Sequence, residues 1–288
     1  MPDGPRTRFA PAPTGSLHLG HVANAIAVWG VARAEGGSVL LRIEDHDAVR
    51  SRPEFDATIL EDLAWLGFVS DAGPVRQRAF DAPYADATER LLAAGLVYRC
   101  ACSRATFAAW RQEHGRVWAG PGCPGGCRER EVDGPTWRVA LGEGEEAWID
   151  RFGGPLHGPV AAAGDPPIRD RDGHRTYLLC VVVDDLRQGI DLVIRGEDLR
   201  GSTPDQIRLG RLLGRTRPAI FAHHPLIRRP DGRKLSKSAG DTGVRELRAA
   251  GHRPDEVIGM AAAAIGWLDH PVAVAADEVA SLVPPAEA

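Results

Sequence analysis

Apolar and polar positions along this chain follow two rhythms. Arg6 to Ala10 predicts a short first strand. From Leu19 to Glu35, Val22, Ile26, Trp29 and Ala32 recur three or four residues apart, the period of one helix face. Ser38 to Ile43 is a nearly continuous apolar run with β-branched members, as a buried parallel strand requires. Ser51 and Glu54 predict a capping box ahead of a helix with Phe55, Ile59, Leu63 and Leu66 on one face. Another amphipathic helix is expected from about Ala82 to Ala94, with Tyr84, Ala87, Leu91 and Leu92 inward. After Thr176 come an apolar segment, Tyr177 to Val183, and a strand, Asp191 to Arg195. A helix opened by the capping box Thr203-Pro204-Asp205-Gln206 follows, then a last core strand from Ala219 to Ala222. Pro254 to Leu268 reads as a helix, and the Ala/Val/Pro-rich remainder as a loosely attached tail. Strands alternating with helices predict an α/β fold with a parallel sheet.

Leu96 to about Asp172 breaks this rhythm. It is rich in Gly and Pro, carries short strand-like pieces such as Thr136 to Leu141, and holds four of the five cysteines. The expected layout is therefore the first half of an α/β domain over 1–95, a zinc-containing insertion with short antiparallel strands over 96–172, the second half over 173–238, and a short helical C-terminal region over 239–288. The zinc expectation rests on Cys100, Cys102, Cys123 and Cys127. Four thiolates in two close pairs, the second on a Gly/Pro turn, suit a tetrahedral structural Zn²⁺ site with no open position. Cys180, inside an apolar run, reads as a core residue.

Composition narrows the classes. Hydrophobic residues at 43% and charged residues at 26% describe an ordinary folded protein. No apolar run reaches the ~18 residues that span a membrane, and Met1 to Arg6 lacks the apolar segment of a signal peptide. The expectation is a cytoplasmic protein, acting as a monomer with no membrane partner. A formal net charge of -4 argues against indiscriminate nucleic-acid binding, while Arg215 to Arg253 forms a local basic stretch. Of 35 Lys and Arg residues, the only lysines are Lys234 and Lys237, both within Lys234-Leu235-Ser236-Lys237-Ser238. So biased a composition leaves lysine where a compact, flexible ammonium matters more than a planar fork.

Two short stretches carry the chemistry. Arg8 to His21 runs from a strand through a Pro/Gly loop to a helix start, whose N–H groups and dipole form an anion site. His18 and His21 can donate to phosphate oxygens, and Gly20 lets backbone and ligand approach closely. Taken alone, the histidines read better as helix caps satisfied by backbone carbonyls, because so short a pattern occurs by chance. The two ammonium groups of Lys234 and Lys237 can swing over a triphosphate, though a solvated basic loop is an equal reading. Ser38 to Ile43 ends in Glu44-Asp45-His46-Asp47, at the sheet edge where open α/β folds bind ligands.

Together these motifs are far more specific. His18-Leu19-Gly20-His21 paired with Lys234 to Ser238 resembles the two signatures of class I aminoacyl-tRNA synthetases. Arg42 to Asp47 looks like the Arg-Ile-Glu-Asp-x-Asp run of the glutamyl and glutaminyl branch. Arg8 to Gly15 is similar to that branch's Arg-Phe-Ala-Pro-Ser-Pro-Thr-Gly, with Ala12 where Ser is more usual. Tyr177 to Asp185 and Val193 to Leu199 match two further blocks, so the resemblance runs from Arg8 to about Ser238.

The resemblance implies a Rossmann-like catalytic domain that takes L-glutamate and ATP, the latter with Mg²⁺. Arg8 and Arg195 would face the carboxylates of glutamate, Glu44 its ammonium, and Tyr177 would add a hydroxyl contact. The backbone of Arg8, Phe9, Ala10, Pro11 and Ala12 would line the pocket. ATP would be held by His18, Gly20, His21, Lys234 and Lys237, with His18, His21 and Lys237 catalytic. The cysteine spacing is similar to that of glutamyl-Q tRNA(Asp) synthetases, several of which have Tyr at the position of Cys123. Only a short region follows Ser238, where a glutamyl-tRNA synthetase continues into an anticodon-binding region. The implied reaction is tRNA-independent formation of glutamyl-adenylate, then transfer of glutamate to the queuosine at the wobble position of tRNA(Asp). The rivals are a truncated glutamyl-tRNA synthetase charging tRNA(Glu) and a catalytically silent tRNA-binding module.

Overall fold

The computed structural model describes residues 4–114, 122–227 and 243–287. Lys234 and Lys237 lie outside these residues. In chain order the elements are β1 (Arg6–Phe9), α1 (Leu19–Ala34), β2 (Ser38–Ile43), α2 (Pro53–Leu66), β3 (Ala72–Arg76), α3 (Ala82–Ala93), β4 (Val97–Cys100), α4 (Arg104–His114), α5 (Gly126–Glu129), β5 (Thr136–Val139), β6 (Glu145–Asp150), β7 (Gly154–Pro159), β8 (Pro167–Arg169), α6 (Tyr177–Arg187), β9 (Leu192–Gly196), α7 (Thr203–Leu212), β10 (Ile220–His224), α8 (Val244–Ala249) and α9 (Pro254–Ala264). No described helix is long and apolar enough to cross a membrane.

The fold is α/β, with parallel strands between layers of helix. The parallel strands fall into two groups, β3-β2-β1 and β9-β10-β6, with β7 antiparallel on the outer edge of β6. Backbone and side-chain bonds between Arg6 and Asp191 set β1 beside β9. There the strand order switches direction, and a crevice opens at the strands' C-terminal ends. Helix α1 is buried nearly all round from Val22 to Ala32, as a helix threaded through the core of an α/β domain must be. Two strands from the stretch expected to form the insertion, β6 and β7, join this sheet through β10. Strands β4, β5 and β8 make a separate antiparallel sheet.

Four local expectations are corrected. Helix α2 is not capped by Ser51. Arg52 is its N-cap with no side-chain cap bond, and Pro53 opens it, so one orphan N–H does not exist. At α7 the N-cap is Ser202, again without a side-chain bond, because Thr203 and Gln206 turn inward to Arg195. On α3 Leu91 is buried but Leu92 is 42% exposed. Helix α9 stops at Ala264, just before Gly266 in the left-handed region at φ 78°.

The C-terminal segment is also no loose tail. Val274 and Val279 are buried, and Val279–Leu282 forms a 3₁₀ turn against α1. Gly30 makes this possible: a Cβ there would sit 2.7 Å from Val283 and 3.0 Å from the Val279 carbonyl.

Candidate active site

The crevice contains a cavity of about 500 Å³. Arg8, Phe9, Ala10, Pro11, Ala12, His18, Gly20, His21, Glu44, Tyr177 and Arg195 all line it. They come from the ends of β1, β2 and β9 and from the starts of α1 and α6. Thr14, Asn24, His46, Asp198 and His224 line it too, though sequence reasoning did not pick them out.

At one end a set of buried charges converges. Asp185 on α6 accepts from Arg8 Nε at 3.0 Å and from Arg42 Nη1 at 2.8 Å. Arg42 also donates to Glu44 at 3.1 Å and to the side-chain Oε1 of Gln188 at 2.9 Å. Burial pushes the Asp185 carboxyl up, but Arg8 and Arg42 together outweigh it and hold it below the usual carboxylate range. Neither Arg42 nor Asp185 stood out in sequence as a site residue. The adjacency of Arg42 to Glu44 and of Asp185 to the end of an apolar run were the available signals.

Arg195 is held differently. Its Nη1 donates to Gln206 at 2.6 Å, its Nη2 to Thr203 at 2.8 Å, and its Nε to His223 Nε2 at 3.1 Å. His223 in turn bonds through Nδ1 to Asp150, which fixes the imidazole with its proton on Nδ1. The guanidinium also lies over the Phe221 ring, 5.2 Å from its centre. Burial lowers the Arg195 pKa, but a guanidinium stays charged in any such setting. The result is a buried cation on neutral acceptors, facing a cavity.

The other end is built from the start of α1. His18 is the N-cap, and its Nδ1 accepts from the Gly20 N–H at 3.0 Å. His21 Nδ1 accepts from the His18 N–H at 3.2 Å, and the two rings lie 4.0 Å apart. Since both Nδ1 atoms accept, each neutral ring carries its proton on Nε2. A Cβ on Gly20 would meet the His18 ring at 2.9 Å, so glycine is what lets that ring fold over the helix start. Backbone N–H groups, the helix dipole and two imidazole donors make an anion site.

Away from the crevice, Cys100, Cys102, Cys123 and Cys127 bring their Sγ atoms within 4.8 Å of one another. Cys102 Sγ lies 3.8 Å from that of Cys123 and 3.4 Å from that of Cys127. Tetrahedral Zn²⁺ with bonds of about 2.3 Å needs sulfurs about 3.8 Å apart, so the donor set and its spacing fit that metal. Gly125, at φ 96°, forms the turn between the second pair. A hydrogen bond from Cys100 lowers the Cys123 thiol, and the same contact, together with burial, raises Cys100. Cys180 is fully buried in the core beside Val181 and Leu179.

Residues 5–121 and 144–270 match the family described as tRNA synthetases class I (E and Q), catalytic domain. The chain belongs to this family. The matched segments omit Cys123 and Cys127. The chain is 43% identical to a glutamyl-Q tRNA(Asp) synthetase from Symbiobacterium thermophilum, over 94% of this chain and 90% of that one. It is 41% identical to a glutamate–tRNA ligase from Acidithiobacillus ferrooxidans, over 91% of this chain and 57% of that one. The glutamate–tRNA synthetase structure from Elizabethkingia anophelis superposes with a TM-score of 0.78 at 28% identity, over 96% of this chain and 65% of that one. The chain thus spans nearly the whole of the first relative and somewhat over half of the second. Its relatives are tRNA ligases, and it is a ligase-type enzyme of the aminoacyl-tRNA synthetase family.

Proposed function

We propose that this enzyme activates L-glutamate with ATP, without tRNA, and passes the glutamyl group to queuosine at the wobble position of tRNA(Asp). The observation that carries the amino-acid part is the buried charge set. Three guanidinium groups (Arg8, Arg42, Arg195) stand against two carboxylates (Asp185, Glu44), an excess of one positive charge. L-Glutamate at neutral pH has two carboxylates and one ammonium, the complementary sum. Arg195 supplies the partner for one carboxylate and Arg8 for the other, Glu44 takes the ammonium, and Tyr177 adds its hydroxyl. The β1 end, from Arg8 to Ala12, walls the pocket.

ATP lies with its phosphates at the α1 start, on His18, Gly20 and His21. Lys234 and Lys237 complete the phosphate site, and Lys237 meets the charge that develops as the glutamate carboxylate attacks the α-phosphorus. Mg²⁺ accompanying ATP would neutralise phosphate charge. Cys100, Cys102, Cys123 and Cys127 hold a structural Zn²⁺, which would tie the end of β4 to the α5 turn.

The choice of acceptor is supported by the identity to the Symbiobacterium relative and by the Cys-x-Cys spacing. The near-equal identity to glutamate–tRNA ligases favours a second reading, charging of tRNA(Glu). The test is transfer of labelled glutamate to tRNA(Asp) with and without queuosine, with tRNA(Glu) in parallel. Label on queuosine-containing tRNA(Asp) alone is the expected result. Label on tRNA(Glu) overturns the queuosine reading, and failure of glutamate-dependent ATP–pyrophosphate exchange by zinc-replete protein overturns both.

A further inference from the structure

His46 stands where two cavities meet. It lines the 500 Å³ cavity and also a second, of about 310 Å³, bounded by Gln77, Phe80, Tyr84 and Arg175. The orientation of its ring is set from beneath. Asp184, fully buried on α6, accepts from Gln77 Nε2 at 2.8 Å, from the Tyr84 hydroxyl at 2.9 Å and from Arg187 Nε at 2.7 Å. A carboxylate in such a position only accepts, so Gln77 must turn its NH₂ inward and its carbonyl oxygen outward. That oxygen lies 2.7 Å from His46 Nδ1. An amide carbonyl also only accepts, so the proton of the neutral imidazole sits on Nδ1 and the lone pair on Nε2. A buried carboxylate thus fixes the tautomer of a cavity-lining histidine through one intervening amide, which is how a general base is oriented.

We propose that His46 is the general base of the transfer step, an inference that rests on the function proposed above. The acceptor hydroxyl attacks the glutamyl carbonyl carbon, and a C–O bond forms there. The anhydride bond between that carbon and the phosphate oxygen breaks, its electron pair leaving with AMP. The hydroxyl proton moves to His46 Nε2 and from there to water. The acceptor nucleoside approaches through the second cavity. There Phe80, 39% exposed and backed by the Arg187 guanidinium 4.3 Å from its ring centre, offers a face for a base to stack on.

The experiment is single-turnover transfer from preformed enzyme-bound glutamyl-adenylate to queuosine-containing tRNA(Asp), with tRNA(Glu) in parallel. His46→Gly should slow transfer roughly 10²- to 10⁴-fold, and added imidazole should restore part of the rate. His46→Asn, closer in size but unable to take the proton, should be as slow. Gln77→Leu should slow transfer less, and imidazole should not rescue it. Transfer by both His46 variants within threefold of the unaltered rate, or a slow His46→Gly that imidazole does not restore, overturns the inference alone. Absence of adenylate on the unaltered enzyme overturns the functional reading, and the inference with it.

Discussion

The floor of the main cavity buries arginine on opposite terms on its two sides. On the β1–β2 side, Arg8 and Arg42 share Asp185, and Arg42 also reaches Glu44. On the β9–β10 side, Arg195 is as buried as Arg8, each 4% exposed. Yet its hydrogen-bond partners Gln206, Thr203, His223 and Tyr177 are all neutral. Asp150 reaches it only through the His223 imidazole. A buried cation with its own carboxylate holds the fold together. A buried cation without one carries an uncompensated desolvation cost, which an arriving anion relieves. The first side is a scaffold that presents Arg8 and Glu44 to the cavity with their charges already paired, and the second leaves its cation for a ligand to balance.

The sharpest way to break that contrast is to remove Asp185. Asp185→Asn leaves two buried guanidinium groups short of a carboxylate and should cost about 3–5 kcal/mol. Thermal unfolding should then shift down by roughly 10 °C for a chain of this size. A shift under 2 °C would show that the β1–β2 side is not the scaffold claimed. Arg195→Met should behave in the opposite way. Replacing a buried charge by an apolar side chain of similar length is often neutral or stabilising, so the unfolding midpoint should stay within about 2 °C. Half-saturating glutamate in pyrophosphate exchange should rise at least about 100-fold, the scale of losing a charge-assisted pair in a dry site. A large stability loss with glutamate dependence unchanged would make Arg195 scaffold too.

The same two sides mark how far the sequence could be read. Strands and helices that bury a continuous apolar stripe, such as Ser38–Ile43 and Leu19–Ala34, are legible because burial imposes its period on residue type. Arg8, Glu44 and Arg195 are legible as a group only through the resemblance of their motifs to the synthetase family, and the structure sets each of them at the end of a strand at the sheet edge. What Thr203 and Gln206 do is not. The residue types that cap a helix are the ones that accept from a guanidinium, and only the tertiary fold decides which donor they meet. Ser51 misleads for the same reason. The C-terminal segment looked loose because small residues signal no contact of their own. Its docking depends on Gly30, a residue some 250 positions away whose missing Cβ opens the space. Asp184 and Asp185 are adjacent in sequence, yet one orders His46 through Gln77 and the other holds Arg8 and Arg42. No spacing rule separates them.

Smaller effects should separate the partners of Arg195. Thr203→Val keeps the shape and deletes one acceptor, so half-saturating glutamate should rise about fivefold, roughly 1 kcal/mol. An unchanged value would mean that Thr203 does not help to aim the guanidinium.

The smallest effect concerns His223 and appears as a pH dependence of stability. Burial lowers the His223 pKa, against the opposing pull of Asp150, so the folded state keeps the ring neutral where the unfolded chain would protonate it. The resulting stability is fully present above the unfolded value of about 6.5 and declines as pH falls through it. His224, also lowered by burial, adds to the same slope. Asp62 opposes it: burial raises that carboxyl to about 6, so between there and its unfolded value near 4 the folded state holds the extra proton and gains as pH falls. Subtracting one variant from the unaltered chain removes these shared contributions. His223→Gln keeps an N–H for Asp150 and an oxygen for Arg195, and denaturant midpoints at pH 5, 6 and 7 should show its slope reduced by less than one proton. Arg195→Met should flatten the slope as well, because the guanidinium is one of the charges that holds the His223 pKa down. If neither variant alters the slope, Asp150 and Arg195 are not linked through that imidazole, and the two sides of the floor differ less than their hydrogen bonds imply.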